Sequence, residues 1–399
     1  MIPRKSFRFY KGELKDILSL VFAGKVSEGK YIELFEKKFA EYIGTQFAIA
    51  TCSGRNGMDL LLDSLGLNEG DEILLPAYTL GDLIYIIKDK GLVPKLVDIE
   101  EDSFNINPDL IESEITDKTR VIIATHMFGL SCNIAKILDI ARMHNLRVIE
   151  DCAHAAGAEF KGQKLGSFAK AGFFSFESNK PINTFGGGMI TTNDAKINSL
   201  VRDKIKNYPE TPRKVLSKVL FTYIEHWILK SFLYRALNAL FMFKTSTKII
   251  SKFYLSIHNQ ARVEYSRFTS LQAFLGLRQL SYLDQCNEKR SKLAGELSER
   301  LSEKVIPQRS QFQQGRIFYF YTVRIIGKKD LESVRRKLLI KGIDAGIRSE
   351  VTDNCALSIG NTEGYTIVAE IFNRVLQLPI HDQLRQRDID YIVRAVNEI

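Results

Sequence analysis

Residues 146–193 read LRVIEDCAHAAGAEFKGQKLGSFAKAGFFSFESNKPINTFGGGMITTN, and this stretch decides the fold. An apolar run, Leu146–Glu150, leads into Asp151. A second, Phe173–Phe176, leads to Lys180, and a triple glycine, Gly186–Gly188, precedes a third at Met189–Thr192. Short apolar runs bounded by Gly and polar residues predict buried strands. In α/β sheets ligands bind outside the carboxyl ends of the strands, so an acid and a lysine at two such ends can face one ligand.

Outward from this stretch, the same alternation fills the first half of the chain. Helical spacing covers 29–43, 55–66, Leu80–Lys90 and about 133–144. Between these segments lie candidate strands at Phe47–Thr51, Glu72–Pro76, Val93–Ile99 and Arg120–Ala124. Strands alternating with helices predict βαβ units and a mostly parallel sheet. The expected fold class is α/β, with a large doubly wound domain over residues 1–212. The tail, 258–399, reads as a long helix (267–304), a strand (Ile317–Ile326), a helix (330–341) and a last helix after Pro379: a smaller C-terminal α+β domain.

A strand-end Asp151 and a strand-end Lys180 on one sheet suit pyridoxal 5'-phosphate. The lysine supplies the Schiff base, and the carboxylate keeps the pyridine nitrogen protonated, which makes the ring an electron sink. Upstream, Thr51-Cys52-Ser53-Gly54-Arg55-Asn56 joins a strand to a helix and offers backbone N–H groups to a phosphate. Ser175 adds a hydroxyl. Each residue alone has a plainer reading: Lys180 as a solvated surface amine, Asp151 as a helix cap, His154 as a structural histidine, Gly186–Gly188 as a turn demanded by backbone geometry. His126 suits packing as well as substrate contact.

The 399 residues are 45% hydrophobic and 26% charged, an ordinary globular composition. Five cysteines, odd in number and widely spaced without a CxxC pair, support neither a disulfide framework nor a zinc site, and no metal is expected. This usage fits a reducing cytoplasm. Met1–Tyr10 lacks the apolar core of a secretory signal, and no stretch of about 18 uncharged apolar residues exists.

The stretches FEKKFAEYIGTQFAIATCSG (35–54), LGLNEGDEILLPAYTL (65–80), THMFG (125–129), VIEDCAHAAGAEFKGQKLGSFAKAGFFSFESNK (148–180) and SRFTSLQAFLGLRQLSYLD (266–284) resemble the PLP-dependent sugar aminotransferases of the DegT/DnrJ/EryC1/StrS group, of fold type I. The resemblance implies that Lys180 is the Schiff-base lysine and proton shuttle and that Asp151 pairs with the pyridine nitrogen. It places His154 near the ring and its phenolate oxygen, and Gly54, Arg55 and Ser175 on the phosphate. Retention of Lys180 favours transamination over dehydration. Three positions depart from the pattern: Pro181 where an Asn commonly follows the lysine, Leu80 where an aromatic ring commonly stacks on the cofactor (with Tyr78 close by), and Tyr265 where a partner-subunit Asn commonly reaches the phosphate. The implied reaction moves an amino group from glutamate or a similar donor to a keto-sugar, nucleotide-linked, in polysaccharide or glycoconjugate biosynthesis, by a homodimer. Two alternatives stand beside it: a PLP enzyme acting on a different or lipid-linked keto substrate at the membrane surface, and a catalytically idle scaffold or regulator on the same fold.

The net charge of +9 lies mostly in residues 213–257, where eight basic residues stand against one acid, Glu225, beside the chain's single tryptophan, Trp227. That apolar, aromatic context does not indicate a nucleic-acid partner. The segment reads as a basic amphipathic helical insertion. It either lies on an anionic membrane surface, making the protein peripheral at the inner face, or packs on protein or over the active-site mouth with its lysines solvated.

Overall fold

Seven strands of the sequence reading recur in one sheet, whose six parallel strands all end on the same edge. The computed structural model describes residues 1–4, 6, 8–27, 29–178, 180–230, 263–327, 330–360 and 362–399. Its first ten strands are β1 (Phe47–Thr51), β2 (Glu72–Pro76), β3 (Tyr78–Thr79), β4 (Val93–Val97), β5 (Thr119–Thr125), β6 (Arg147–Asp151), β7 (Glu159–Phe160), β8 (Gln163–Lys164), β9 (Ala171–Ser175) and β10 (Gly188–Thr192). Seven form the main sheet in the order β1-β10-β9-β6-β5-β2-β4. Only β10 runs antiparallel to its neighbours. Thr51, Pro76, Thr125, Asp151 and Ser175 thus lie along one edge, and β10 starts there at Gly188.

The strands read as continuous apolar runs because both faces of the sheet are covered. Ile73, Leu75, Val121, Ile123, Ile149 and Phe173 enter the core on one side. Their neighbours Leu74, Ile122, Ala124, Val148 and Phe174 enter the core on the other. The helices of this half are α1 (Glu13–Phe22), α2 (Tyr31–Ile43), α3 (Gly54–Ser64), α4 (Asp82–Asp89), α5 (Ile111–Glu114), α6 (Ile134–Met143), α7 (Ala195–Ile205) and α8 (Pro212–Lys230). Side-chain caps set several of their starts: Ser53 for α3, Asn133 for α6 and Asp194 for α7.

A second sheet, of β11 (Val305–Pro307), β12 (Tyr321–Ile325), β13 (Gly346–Ile347) and β15 (Val375–Leu378), is antiparallel in the order β11-β12-β15-β13. The short β14 (Asp353–Asn354) pairs with β3 and ties this layer to the large sheet. The single helix expected over 267–304 is instead two, Ser270–Leu280 and Leu283–Arg300, broken at Ser281 and Tyr282. The reason is packing. The first piece carries Leu271 and Leu275 into a core with α1 and α8, whereas the second carries Leu293, Ala294 and Leu297 into the core of the small sheet. The chain's first residues also cross over: Ile2 bridges to Ile343 and joins that small-sheet core.

Of the basic segment 213–257, residues 213–230 lie in α8, and 231–257 fall outside the described residues. Val215 and Val219 pack on Ile17 and Leu20 of α1. Leu220, Phe221, Ile224 and Trp227 are left exposed.

Candidate active site

The carboxyl edge of the sheet gathers the chemistry. Ser53 leaves β1 in extended conformation, and its hydroxyl accepts the Asn56 N–H at 3.1 Å, which starts α3. The first N–H groups of a helix have no intrahelical acceptor and carry the positive end of its dipole, so the start of α3 is an anion cradle. The cradle is tight. A Cβ on Gly54 would stand 3.1 Å from Cβ of Ser175. One on Gly188 would stand 2.6 Å from the Phe174 carbonyl oxygen and 2.8 Å from the Gly54 nitrogen. Gly186 and Gly187 have φ of 107° and 117°, so the triple glycine is a turn required by backbone geometry. Arg55 directs its guanidinium away, to Asp82 at 2.7 Å, and leaves its backbone at the cradle.

Asp151 closes β6. Its carboxylate accepts the Ala153 N–H at 3.0 Å, and the Thr125 hydroxyl stands 3.5 Å away. Burial raises its pKa against the opposing pull of the Ala153 amide and the Lys180 charge. Burial lowers Lys180 to about 8, although Asp151 and Glu177 work the other way. An amine near 8 is partly neutral at physiological pH, as a nucleophile and proton carrier needs.

The Lys180 ammonium sits 4.6 Å above the Tyr319 ring. Tyr319 stacks on His154 at 4.4 Å, and His154 stacks in turn on Phe128 at 5.6 Å and 7°. Burial, then the Lys180 charge, holds His154 well below its ordinary pKa, so the imidazole is neutral at pH 7. Its Nδ1 is buried without a hydrogen-bond partner among the described residues. Phe128 occupies the left-handed region (φ 54°), a costly position for a non-glycine residue, with its ring between His154 and the edge of Tyr78. Tyr78 is fully buried behind this stack, against Phe104 and Phe128, and its hydroxyl has no partner among the described residues.

Behind Asp151, the sequence's ambiguous His126 is entirely buried and packed. Its Nδ1 accepts the Cys132 N–H at 3.3 Å, which leaves Nε2–H to donate to Glu150 at 3.2 Å. Glu150 also accepts the N–H groups of Gly166, Phe168 and Ala169. Its oxygens are thus engaged within the fold, and the His126 backbone N–H fixes the Asp151 carbonyl at 3.1 Å.

The structure therefore brings Gly54, Arg55, Ser175, Asp151, His154 and Lys180 to one edge, and sets Tyr78 behind them. The sequence reading missed Tyr319, which lies in the aromatic run RIFYFY and reads there only as strand core. It also missed Arg8, Arg290 and Asp382. With Lys180 and Tyr319 these line a cavity of ≈ 50 Å³ roofed by the N-terminal arm. Nothing local distinguishes these residues; they meet only because the arm, the helix 283–300 and the chain after β15 converge there.

The description "DegT/DnrJ/EryC1/StrS aminotransferase family" fits residues 10–218 and 245–397. The GDP-perosamine synthase of Caulobacter vibrioides is 30% identical over 382 residues, covering 94% of this chain and 91% of that one. The dTDP-3-amino-3,6-dideoxy-alpha-D-galactopyranose transaminase of Aneurinibacillus thermoaerophilus is 28% identical over 393 residues, 97% and 95% of the two chains. Among solved structures, the aminotransferase TlmJ from Streptoalloteichus hindustanus superposes with a TM-score of 0.80 at 19% identity, over 100% of this chain and 98% of that one. That likeness establishes the shared fold; the family match across both domains, joined to a 30%-identical relative aligned nearly end to end, establishes that this chain belongs to the DegT/DnrJ/EryC1/StrS aminotransferase family.

Proposed function

We propose that the protein moves an amino group from glutamate or a similar donor to a keto group on a nucleotide-linked sugar, in polysaccharide or glycoconjugate biosynthesis. The observation that carries the chemistry is the placing of Lys180 and Asp151, whose charges act on each other, on the same sheet edge as an anion cradle. The sugar reading leans on the relatives named above. The residues fit pyridoxal 5'-phosphate. The start of α3, with Ser175, would hold the phosphate; Asp151 would face the pyridine nitrogen; the unpartnered Nδ1 of His154 is placed for a ring substituent. When bound, this cofactor supplies the electron sink that makes the proton on the substrate carbon removable. Lys180, with its amine near 8, would take that proton and return it to the carbon on the far side of the transferred nitrogen. Asp151, fixed by the Ala153 amide and braced from behind by His126, holds the counter-charge. The Tyr319–His154–Phe128 stack keeps the amine dry on one side.

The test has two steps. Glutamate should convert the yellow holoenzyme to its colourless amino form, and a panel of nucleotide-linked keto-sugars should then restore the colour. An idle scaffold would show no glutamate-dependent bleaching and no change with Lys180→Ala.

A second element belongs to this reading. Residues 219–244 fall between the two segments matched by the family, inside the basic stretch that we propose as an insertion over 213–257. The exposed Leu220, Phe221, Ile224 and Trp227 on α8 favour its lying on an anionic membrane face, where a lipid-linked substrate would be met. Co-sedimentation with anionic vesicles, lost on deleting 219–244, supports this; a homodimer in solution that survives the deletion separates it from subunit assembly.

A further inference from the structure

The Lys180 amine rests on an aromatic face. Its Nζ stands 4.6 Å from the centre of the Tyr319 ring, whereas Asp151 and Glu177 act on it through their charges alone. His154, stacked on the same ring, is neutral at pH 7. Across the cavity lie the cations Arg4, Arg8 and Arg290, the carboxylate of Asp382, and Tyr10, His381 and Cys286; none of these bears on the amine as Asp151 and Glu177 do. The ring itself is buried and fixed independently of the lysine. It stacks on His154 at 4.4 Å and meets Phe320 at 4.3 Å. Its backbone N–H donates to the Phe128 carbonyl at 3.5 Å, and the Ile317 N–H donates to the Gly129 carbonyl at 3.1 Å. The two segments press so closely that a Cβ on Gly129 would stand 2.4 Å from the Ile317 oxygen.

We propose that Tyr319 is a positioning residue whose ring face seats the Lys180 ammonium between proton uptake and proton return. This rests on the aminotransfer reading above. While a substrate amine occupies the cofactor, the lysine is free of it, and its flexible four-carbon stem can swing. The lysine must hold a proton briefly and deliver it nearby. A carboxylate at hydrogen-bond distance favours the charged form and resists giving the proton up. A dry wall without any partner refuses the cation. A π face lies between the two: its quadrupole attracts the cation, more strongly where water is excluded, and it accepts no proton.

The full-length apoprotein carries the first readout, which needs no turnover: the pH dependence of Lys180 carbamylation by cyanate, followed by peptide mass spectrometry. Only the neutral amine reacts, so the midpoint reports its protonation, and the wild type should show it at about 8. Tyr319→Phe keeps the face and should match the wild type. Tyr319→Leu keeps an apolar side chain and loses the face; the charged form is then less favoured, and the midpoint should fall by about one pH unit. Phenylalanines of increasing fluorine content at position 319 keep the shape while draining the ring, and should lower the midpoint stepwise even if Tyr319→Leu fails to fold. In the holoenzyme, Tyr319→Leu should slow the limiting rate of glutamate bleaching roughly 5- to 10-fold with the half-maximal glutamate concentration little changed, and Tyr319→Phe should restore the rate.

A midpoint that stays at or rises above the wild-type value, in Tyr319→Leu or across the fluorinated series, overturns the inference. So does a Tyr319→Phe protein that behaves like Tyr319→Leu, or an unchanged limiting rate in Tyr319→Leu. A wild-type holoenzyme that no amino donor bleaches would instead sink the aminotransfer reading itself, whatever the midpoints.

Discussion

Gly188 gives the sharpest test of how the anion cradle at the start of α3 is built. A Cβ there would meet three backbone atoms: the Phe174 oxygen at 2.6 Å, the Ser53 carbon at 2.7 Å and the Gly54 nitrogen at 2.8 Å. None belongs to a side chain that could swing aside. Relief requires β10 to move off β9 or the start of α3 to move off the sheet. Overpacking of this kind costs about 1–3 kcal/mol, and backbone obstacles place Gly188→Ala at the upper end. With about 2–4 °C of Tm per kcal/mol for a domain of 150–250 residues, apo Gly188→Ala should melt roughly 6–12 °C below wild type. Because the displaced atoms include the amide of Gly54, the same change should weaken pyridoxal phosphate retention, read by equilibrium dialysis. Gly54→Ala, whose Cβ would meet Ser175 Cβ at 3.1 Å, should do less harm. Gly295→Ala, with nothing within 4 Å in a helix, should stabilise by about 0.5–1 kcal/mol. A Gly188→Ala protein with wild-type Tm and cofactor affinity, or a reversed order in the series, would refute the claim that close backbone approach shapes the cradle.

Three further outcomes are expected. The apoprotein should capture pyridoxal phosphate faster as pH rises toward about 8 and level off above it, because burial sets the Lys180 amine there; a rise continuing to pH 10 would show an ordinary solvated lysine. His126→Leu should cost roughly 1–3 kcal/mol by removing the Nε2–H bond to Glu150, whose carboxylate keeps the N–H groups of Gly166, Phe168 and Ala169, measured by urea unfolding. Finally, Phe221→Ser with Trp227→Ser, at side chains 73% and 67% exposed, should leave Tm within about 1 °C while reducing vesicle binding; a large Tm loss would mean the two rings are packed.

The large domain was legible because the inner strands of its sheet are buried on both faces and therefore written as unbroken apolar runs, as in Val148–Ile149 and Phe173–Phe174. The break at Ser281 and Tyr282 was not, since helical spacing runs through it and only the need to serve two separate cores interrupts it. His126 shows the same boundary. Its position at a strand end suited substrate contact, but Glu150 and Cys132 enclose it on the far side of the strand from the cofactor edge.

The sequence by itself determined the α/β class, the strand ends that carry Asp151 and Ser175, the lysine at 180 and the turn at 53–55, because periodicity and strand-end chemistry are local properties of the chain. Tertiary structure alone decided what surrounds that chemistry. Tyr319, Arg290, Arg8 and Asp382 come from four separate parts of the chain, and no local pattern ties them to Lys180. Their closeness depends on where an arm, a helix and a loop pack. The same packing removes water from the Lys180 amine and brings it down to about 8, a property that no reading of residue 180 in isolation contains.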